Sequence, residues 1–270
     1  MSKNIQRLQA LLLFSIIFST LAHAESKTLT FGVFPYVSSG KLIKHQAVVH
    51  QFLRKQLNKD IEFVTAQNFQ GYADRVLNAE YDLIFTAPHF ARYCQLQGLY
   101  TPLAMTHTKI QGVYLVHKDS PLQSLQDLQG QEVSISSVGL RFGLLHQIMK
   151  QQTKTLSIDK LKIRETRTHN NSVFSVYKKE IDVALTGANI WKNVKPDIKS
   201  QLRLIGETPK VSGFVIMARP ELAKQLKPLF SNVDQDFTNS LAGKKYIFRG
   251  LKTYQDNMLT DMDPYIKPFE

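Results

Sequence analysis

The sequence predicts an α/β protein folded as two lobes, and three observations carry that expectation. Short apolar runs with strand character alternate with helical patterns along most of the chain. Two extended stretches, around residues 105–117 and 208–218, interrupt the alternation. At 270 residues the chain is large for one core and comfortable for two. Alternation of this kind predicts mainly parallel sheets flanked by helices. The two interruptions predict a chain that leaves a first lobe, builds a second and returns.

Each element follows from its local pattern. "KTLTFGVFP" reads as a strand and "SSGKLIKHQAVVHQFLRKQLN" as a helix with serine at its start. "IEFVTA" is a strand, "FQGYADRVLNAE" a helix and "YDLIFTA" a strand. "PHFARYCQLQG" is a helix opening with Pro88 near its first position and ending near Gly98. "LAMTHTKIQGVYLVHK" reads as an extended crossing. "SPLQSLQDLQGQEVSISS" then restarts the rhythm, which runs through "DKLKIRET", "NNSVFSVYKKE", "IDVALTGA" and "LRLIGE". "VSGFVIMARPE" is the second crossing and leads into a helical C-terminal third. The expected boundaries are residues 25–110 and 215–270 for a discontinuous first lobe and 111–214 for the inserted second.

The ends and the composition bound the compartment and the partners. Lys3 and Arg7, the apolar run Leu11 to Leu21 and Ala22-His23-Ala24 read as a secretory signal peptide, residues 1–24, with cleavage expected after Ala24. The apolar run is too short to span a bilayer, which takes about 20 residues. Cys94 is the only cysteine, so no intramolecular disulfide is possible, and a core thiol is expected. Net charge is +12, and the lysines and arginines are scattered rather than blocked. That pattern, with export, argues against nucleic acid and for a surface biased toward anions.

Four pieces of the chain resemble a known family: "YDLIFTAPHFARY", "SPLQSLQDLQGQEVSISS", "RTHNNSVFSVYKKEIDVALTG" and "ETPKVSGFVIMARPEL". Together they are similar to the phosphate/phosphite/phosphonate-binding (PhnD-like) substrate proteins of ABC importers, a branch of the type II periplasmic binding proteins. The resemblance covers nearly all of residues 28 to 240. It implies two lobes, each a mixed, mainly parallel sheet flanked by helices, with a ligand cleft between them. It also implies a periplasmic location, a membrane ABC permease as partner and a small anionic solute. No cofactor and no metal site are implied, and a monomer is expected. The chain departs from the family in three places. Ser136-Ser137-Val138-Gly139 stands where phosphonate binders carry Ser-Thr-Ser. Ala87-Pro88-His89-Phe90 replaces a Gly-Pro stretch ending in tyrosine. Thr168 replaces the serine before the family's histidine.

The strand-to-helix junctions suit an anion. A helix begins with N–H groups that lack intrahelical partners and with about half a positive charge from its dipole. A small anion satisfies both, and hydroxyls add donors. The candidate ligand residues are therefore Ser38 and Ser39, His89, Ser136, Ser137 and Gly139, with Thr168, His169, Asn170 and Asn171. Ordinary helix capping explains the same residue types, since Ser, Thr and Asn are the preferred caps. Tyr36 and Arg141 join the candidates, the first as a hydrogen-bond donor across the cleft, the second as a counter-charge or as cover for its helix. After "IDVAL", the stretch Thr186 to Ile190 carries no carboxylate, which argues against ligands with an ammonium group.

Three functions remain to be weighed. A periplasmic solute-binding protein would close its lobes around a small oxyanion and present it to an importer. A ligand-sensing partner of a membrane histidine kinase would use the same fold. An exported enzyme would need paired carboxylates, a zinc-binding His-Glu helix, a nucleophile elbow or a Cys/His pair, and the sequence shows none of these.

Overall fold

A computed structural model describes residues 28–270, so the expected signal peptide lies outside the described residues. In chain order the elements are β1 (Leu29–Val33), α1 (Ser39–Leu57), β2 (Ile61–Thr65), α2 (Phe69–Leu77), β3 (Leu83–Thr86), α3 (Pro88–Leu96) and β4 (Thr101–Thr106). There follow β5 (Gly112–His117), β6 (Val133–Val138), α4 (Leu144–Thr155), β7 (Leu161–Thr166), α5 (His169–Tyr177), β8 (Val183–Gly187), α6 (Ala188–Lys192), α7 (Pro196–Lys199) and β9 (Leu202–Glu207). The chain ends with β10 (Val215–Ala218), α8 (Pro220–Phe230), α9 (Leu241–Lys245), β11 (Leu251–Thr253) and two short 3₁₀ turns, Thr260–Tyr265 and Lys267–Phe269.

Two sheets form. The first has the strand order β11-β4-β10-β3-β1-β2, the second β7-β6-β8-β5-β9. Within each, the early strands are parallel: β1 with β2 and β3, and β6 with β7 and β8. The strands that carry the chain out of or back from a crossing run antiparallel: β10 with β3 and β4, and β5 with β8 and β9. All four residues of β3 are buried, as expected for a central strand covered by helices on both faces.

The helices bury the stripes their sequences lay out. α1 turns Leu42, Gln46, Val49 and Leu53 inward, a spacing of three and four residues that keeps them on one face. It stops at Asn58, which takes the left-handed conformation after Arg54 and Lys55 in the last turn. β5 shows the other period. Val113 and Leu115 face one hydrophobic cluster and Tyr114 and Val116 the opposite one, so the second sheet is packed on both sides. β7, with Lys162, Arg164 and Glu165 exposed, is a charged edge. Cys94 is fully buried, and burial pushes its thiol pKa up.

Two strands of chain connect the sheets, residues 107–111 after β4 and 208–214 after β9. They lie side by side: Ile110 N–H donates to the Val211 carbonyl at 3.0 Å, and Val211 N–H returns the bond at 2.9 Å. The end of the chain bridges the sheets a third time. The Phe269 ring lies 4.7 Å from that of Phe90 on α3 and 5.1 Å from that of Phe142, just before α4. Gln151 on α4 donates to the Pro264 carbonyl, and Arg92 on α3 pairs with Asp263. The C-terminal third is not wholly helical. β11, three residues long, adds the edge of the first sheet by pairing with β4.

Candidate functional site

A cavity of about 530 Å³ lies between the two sheets, at the ends where the parallel strands finish. That is where open α/β sheets place ligands, because the helices that follow the strands begin there. Phe34 follows β1, Phe69 begins α2 after β2, and Ala87 follows β3. From the other side come Val138 at the end of β6, His169 after β7 and Gly187 at the end of β8.

Helix starts from both lobes meet at this cavity. Ala87 is the N-cap of α3, Gly143 of α4 and Gly187 of α6, and none of the three has a side chain bonded across its cap. Leu144 and Leu145, the first residues of α4, also line the wall, and their N–H groups have no intrahelical partner. α5 starts at His169 and is capped by Thr168, whose Oγ1 accepts from the Asn171 N–H at 3.2 Å.

Two polar atoms on the wall are buried without a partner: His169 Nδ1 and Thr108 Oγ1. A buried polar group without a hydrogen bond costs about 1–3 kcal/mol, so both atoms gain from a partner at this wall. Burial holds the His169 imidazole at a pKa of about 4 and therefore neutral at pH 7. Lys109, Lys192, Lys210 and Arg249 stand exposed at the rim. Among the described residues no aspartate or glutamate lines the cavity. Charge and helix dipoles thus favour an anion.

The opposite wall is aromatic. Phe34 and Phe69 pack with ring centres 4.4 Å apart, and Tyr36, Phe214 and Phe248 form a second group with centres 5.0–5.7 Å apart. Backbone bonds to the first crossing fix the second group: Thr106 N–H donates to the Phe214 carbonyl and Thr108 N–H to that of Phe248.

Of the residues expected from the sequence, Tyr36 and His169 line this cavity. Tyr36 presents its ring rather than its hydroxyl, which is held by Gln46 Nε2 at 3.1 Å and lies 3.3 Å from His45 Nδ1. Ser136 and Ser137 are not at a helix start: β6 continues through Val138 and α4 begins only at Leu144. Both are fully buried within the strand, Ser136 donating to the Val183 carbonyl and Ser137 sharing a bond with His146. The physical reason is pairing. β6 stays in register with β7 to Val138–Thr166, so the hydroxyls turn into the lobe.

The remaining candidates lie off the cavity wall. Ser38 and Ser39 are exposed at the start of α1. Thr168 and Asn171 bond each other, and Asn170 sits half-buried beside them. Arg141 is exposed with its guanidinium 4.8 Å over the Phe142 ring, covering it. Gly139, at φ +65°, lies against Phe69, whose ring a Cβ would strike. His89 is fully buried, and its Nε2 donates to the Phe142 carbonyl at 2.9 Å across the lobes. Thr108, Lys109, Lys210 and the aromatic wall were not anticipated. The lysines sit in the two crossings the sequence marks, and that position was their only signal.

The comparisons agree with this architecture. A family profile described as ABC transporter, phosphonate, periplasmic substrate-binding protein matches residues 31–256. No curated protein sequence matches the chain. Among solved structures, a binding-protein component of an ABC phosphonate transporter from Pseudomonas aeruginosa superposes with TM-score 0.74 at 16% identity, covering 87% of this chain and 84% of its own. A PhnD protein of Prochlorococcus marinus in complex with methylphosphonate gives TM-score 0.76 at 16% identity, covering 88% and 96%. A Xanthomonas citri protein bound to chloride gives 0.69 at 16% identity, covering 87% and 95%. At these identities the structures establish the shared two-lobed fold, and the profile, which spans most of the chain, establishes the family: this protein belongs to the periplasmic substrate-binding proteins of ABC phosphonate transporters.

Proposed function

We propose that the chain captures a small oxyanion, phosphate, phosphite or a phosphonate, between its lobes and delivers it to a membrane ABC permease. The observation that carries this reading is the meeting of helix starts, rim cations and buried unpartnered polar atoms at a cavity that, among the described residues, no carboxylate lines. Residues 25–110 with 215–270 form one lobe and 111–214 the other, and the paired crossings at Ile110 and Val211 act as the hinge. The chain works as a monomer after cleavage behind Ala24. Family membership gives the periplasmic location, and no feature of the site favours a histidine-kinase partner.

The ligand groups proposed on the second lobe are the N–H groups of Leu144 and Leu145 and the His169 imidazole, with Thr108 contributing from the hinge. A thermal-shift panel of phosphate, phosphite, methylphosphonate, 2-aminoethylphosphonate, sulfate and neutral sugars tests the reading. Ligand at a hundred times its Kd adds about 2.7 kcal/mol, and each kcal/mol moves the midpoint by about 2–4 °C in a chain of this size. A shift of several degrees with a phosphorus oxyanion is expected, and the weakest phosphonate should be 2-aminoethylphosphonate, whose ammonium finds no carboxylate. Shifts with sugars alone would overturn the anion site.

A further inference from the structure

Resting on the anion reading, we propose that the preferred ligand is an organic anion with an apolar, ring-sized body, an aryl- or long alkylphosphonate, rather than an inorganic oxyanion. The two walls of the cavity differ in kind. The second lobe brings the uncapped start of α4 and the ring of His169, whose buried Nδ1 has no partner. The first lobe brings the rings of Phe34, Tyr36, Phe69, Phe214 and Phe248. Of its two helix starts, α3 begins with Pro88, which has no N–H, and α2 is capped by Asn68, whose Oδ1 accepts from the Gly71 N–H; the Tyr36 hydroxyl is turned back onto Gln46 and His45.

An inorganic oxyanion has acceptor oxygens on every side and needs donors all round, since a charged oxygen left against an apolar surface is strongly penalised. Here the second lobe brings the uncapped start of α4 and the His169 ring, while the first lobe presents mainly rings. A molecule with its oxyanion at one end and hydrocarbon at the other satisfies both walls. Size points the same way: cavities of a few hundred Å³ with mainly apolar walls hold ligands much larger than a single tetrahedral anion, and this one measures about 530 Å³. Among the described residues no lining carboxylate offers an ion-pair partner to a cationic substituent on the body.

Isothermal titration of the chain from Glu25 with phenylphosphonate, methylphosphonate, inorganic phosphate and benzyl alcohol tests the inference. Phenylphosphonate should bind at least about tenfold more tightly than methylphosphonate, because the ring removes additional apolar surface from water. Benzyl alcohol, which has the ring without the anion, should bind far more weakly than either. Phe248→Leu should reduce the ratio of the two phosphonate affinities severalfold. Phe34→Leu is the second variant, should the first fail to fold by circular dichroism. Methylphosphonate or phosphate binding as tightly as phenylphosphonate overturns the inference and leaves the anion site standing. Binding of benzyl alcohol alone, or of nothing in the panel, overturns both.

Discussion

His169 concentrates the chemistry of the site in one side chain. It opens α5, its carbonyl accepts from Thr186 Oγ1 at 3.1 Å, it lines the cavity, and its buried Nδ1 has no partner. Replacing it with alanine should weaken phosphonate binding about tenfold, the loss of one hydrogen bond to a charged group, read as Kd by titration. Ser137→Ala should act differently. Its hydroxyl is buried against His146, so the expected effect is about 1 kcal/mol of stability, read as a lowered Tm. The three histidines His89, His146 and His169 share a further property: burial holds each at a pKa of about 4. The unfolded chain takes up protons near pH 6.5, while the folded chain resists until about pH 4. Their contribution to stability is therefore complete above pH 6.5 and is lost as pH falls toward 4. Tm should drop between pH 7 and pH 5, with His89 and His169, the two most deeply buried rings, contributing most. A His169→Asn variant should show a shallower slope, and an unchanged slope would count against the neutral buried imidazole.

Among the elements, the loop between β6 and α4 decides how the lobes meet. Gly139 takes a left-handed φ of +65°, and the Phe69 ring occupies the space where a Cβ would stand. Gly139→Ala costs about 1 kcal/mol in backbone strain alone. It also pushes Phe69 away, so the lobes should separate. A larger radius of gyration by small-angle scattering, together with weaker phosphonate binding, is the expected result. This loop also shows what the sequence can and cannot say. Strand–helix alternation and the two crossings were legible because apolar periodicity is a local property. The end of β6 was not, since a serine in a buried strand and a serine capping a helix look alike until pairing with β7 extends the strand to Val138. β11 was missed because "LKT" is too short to show a period, and only β4 beside it makes it a strand. The aromatic wall escaped for another reason. Phe34, Phe69, Phe214 and Phe248 come from distant segments, and each alone reads as core.

At the scale of the whole molecule, charge and topology govern function together. The four rim cations are exposed, so their attraction for an anion is screened by salt. The association rate for phosphonates should fall severalfold as the screening length shrinks from about 30 Å at 0.01 M salt to about 3 Å at 1 M, measured by stopped-flow fluorescence. A rate indifferent to salt would mean that the rim plays no part in capture.

The strand order carries a temporal consequence. β4 has β10 on one side and β11 on the other, and both lie beyond residue 214. Nothing made earlier can pair with it. A growing chain can complete the inserted sheet while β4 is still an open edge, and the first sheet can close only once the final segments have emerged from the ribosome. Such distant pairings slow folding. For a chain bound for the periplasm, that order leaves the first sheet incomplete until the final segments arrive, for longer than a sheet built from neighbouring segments would be.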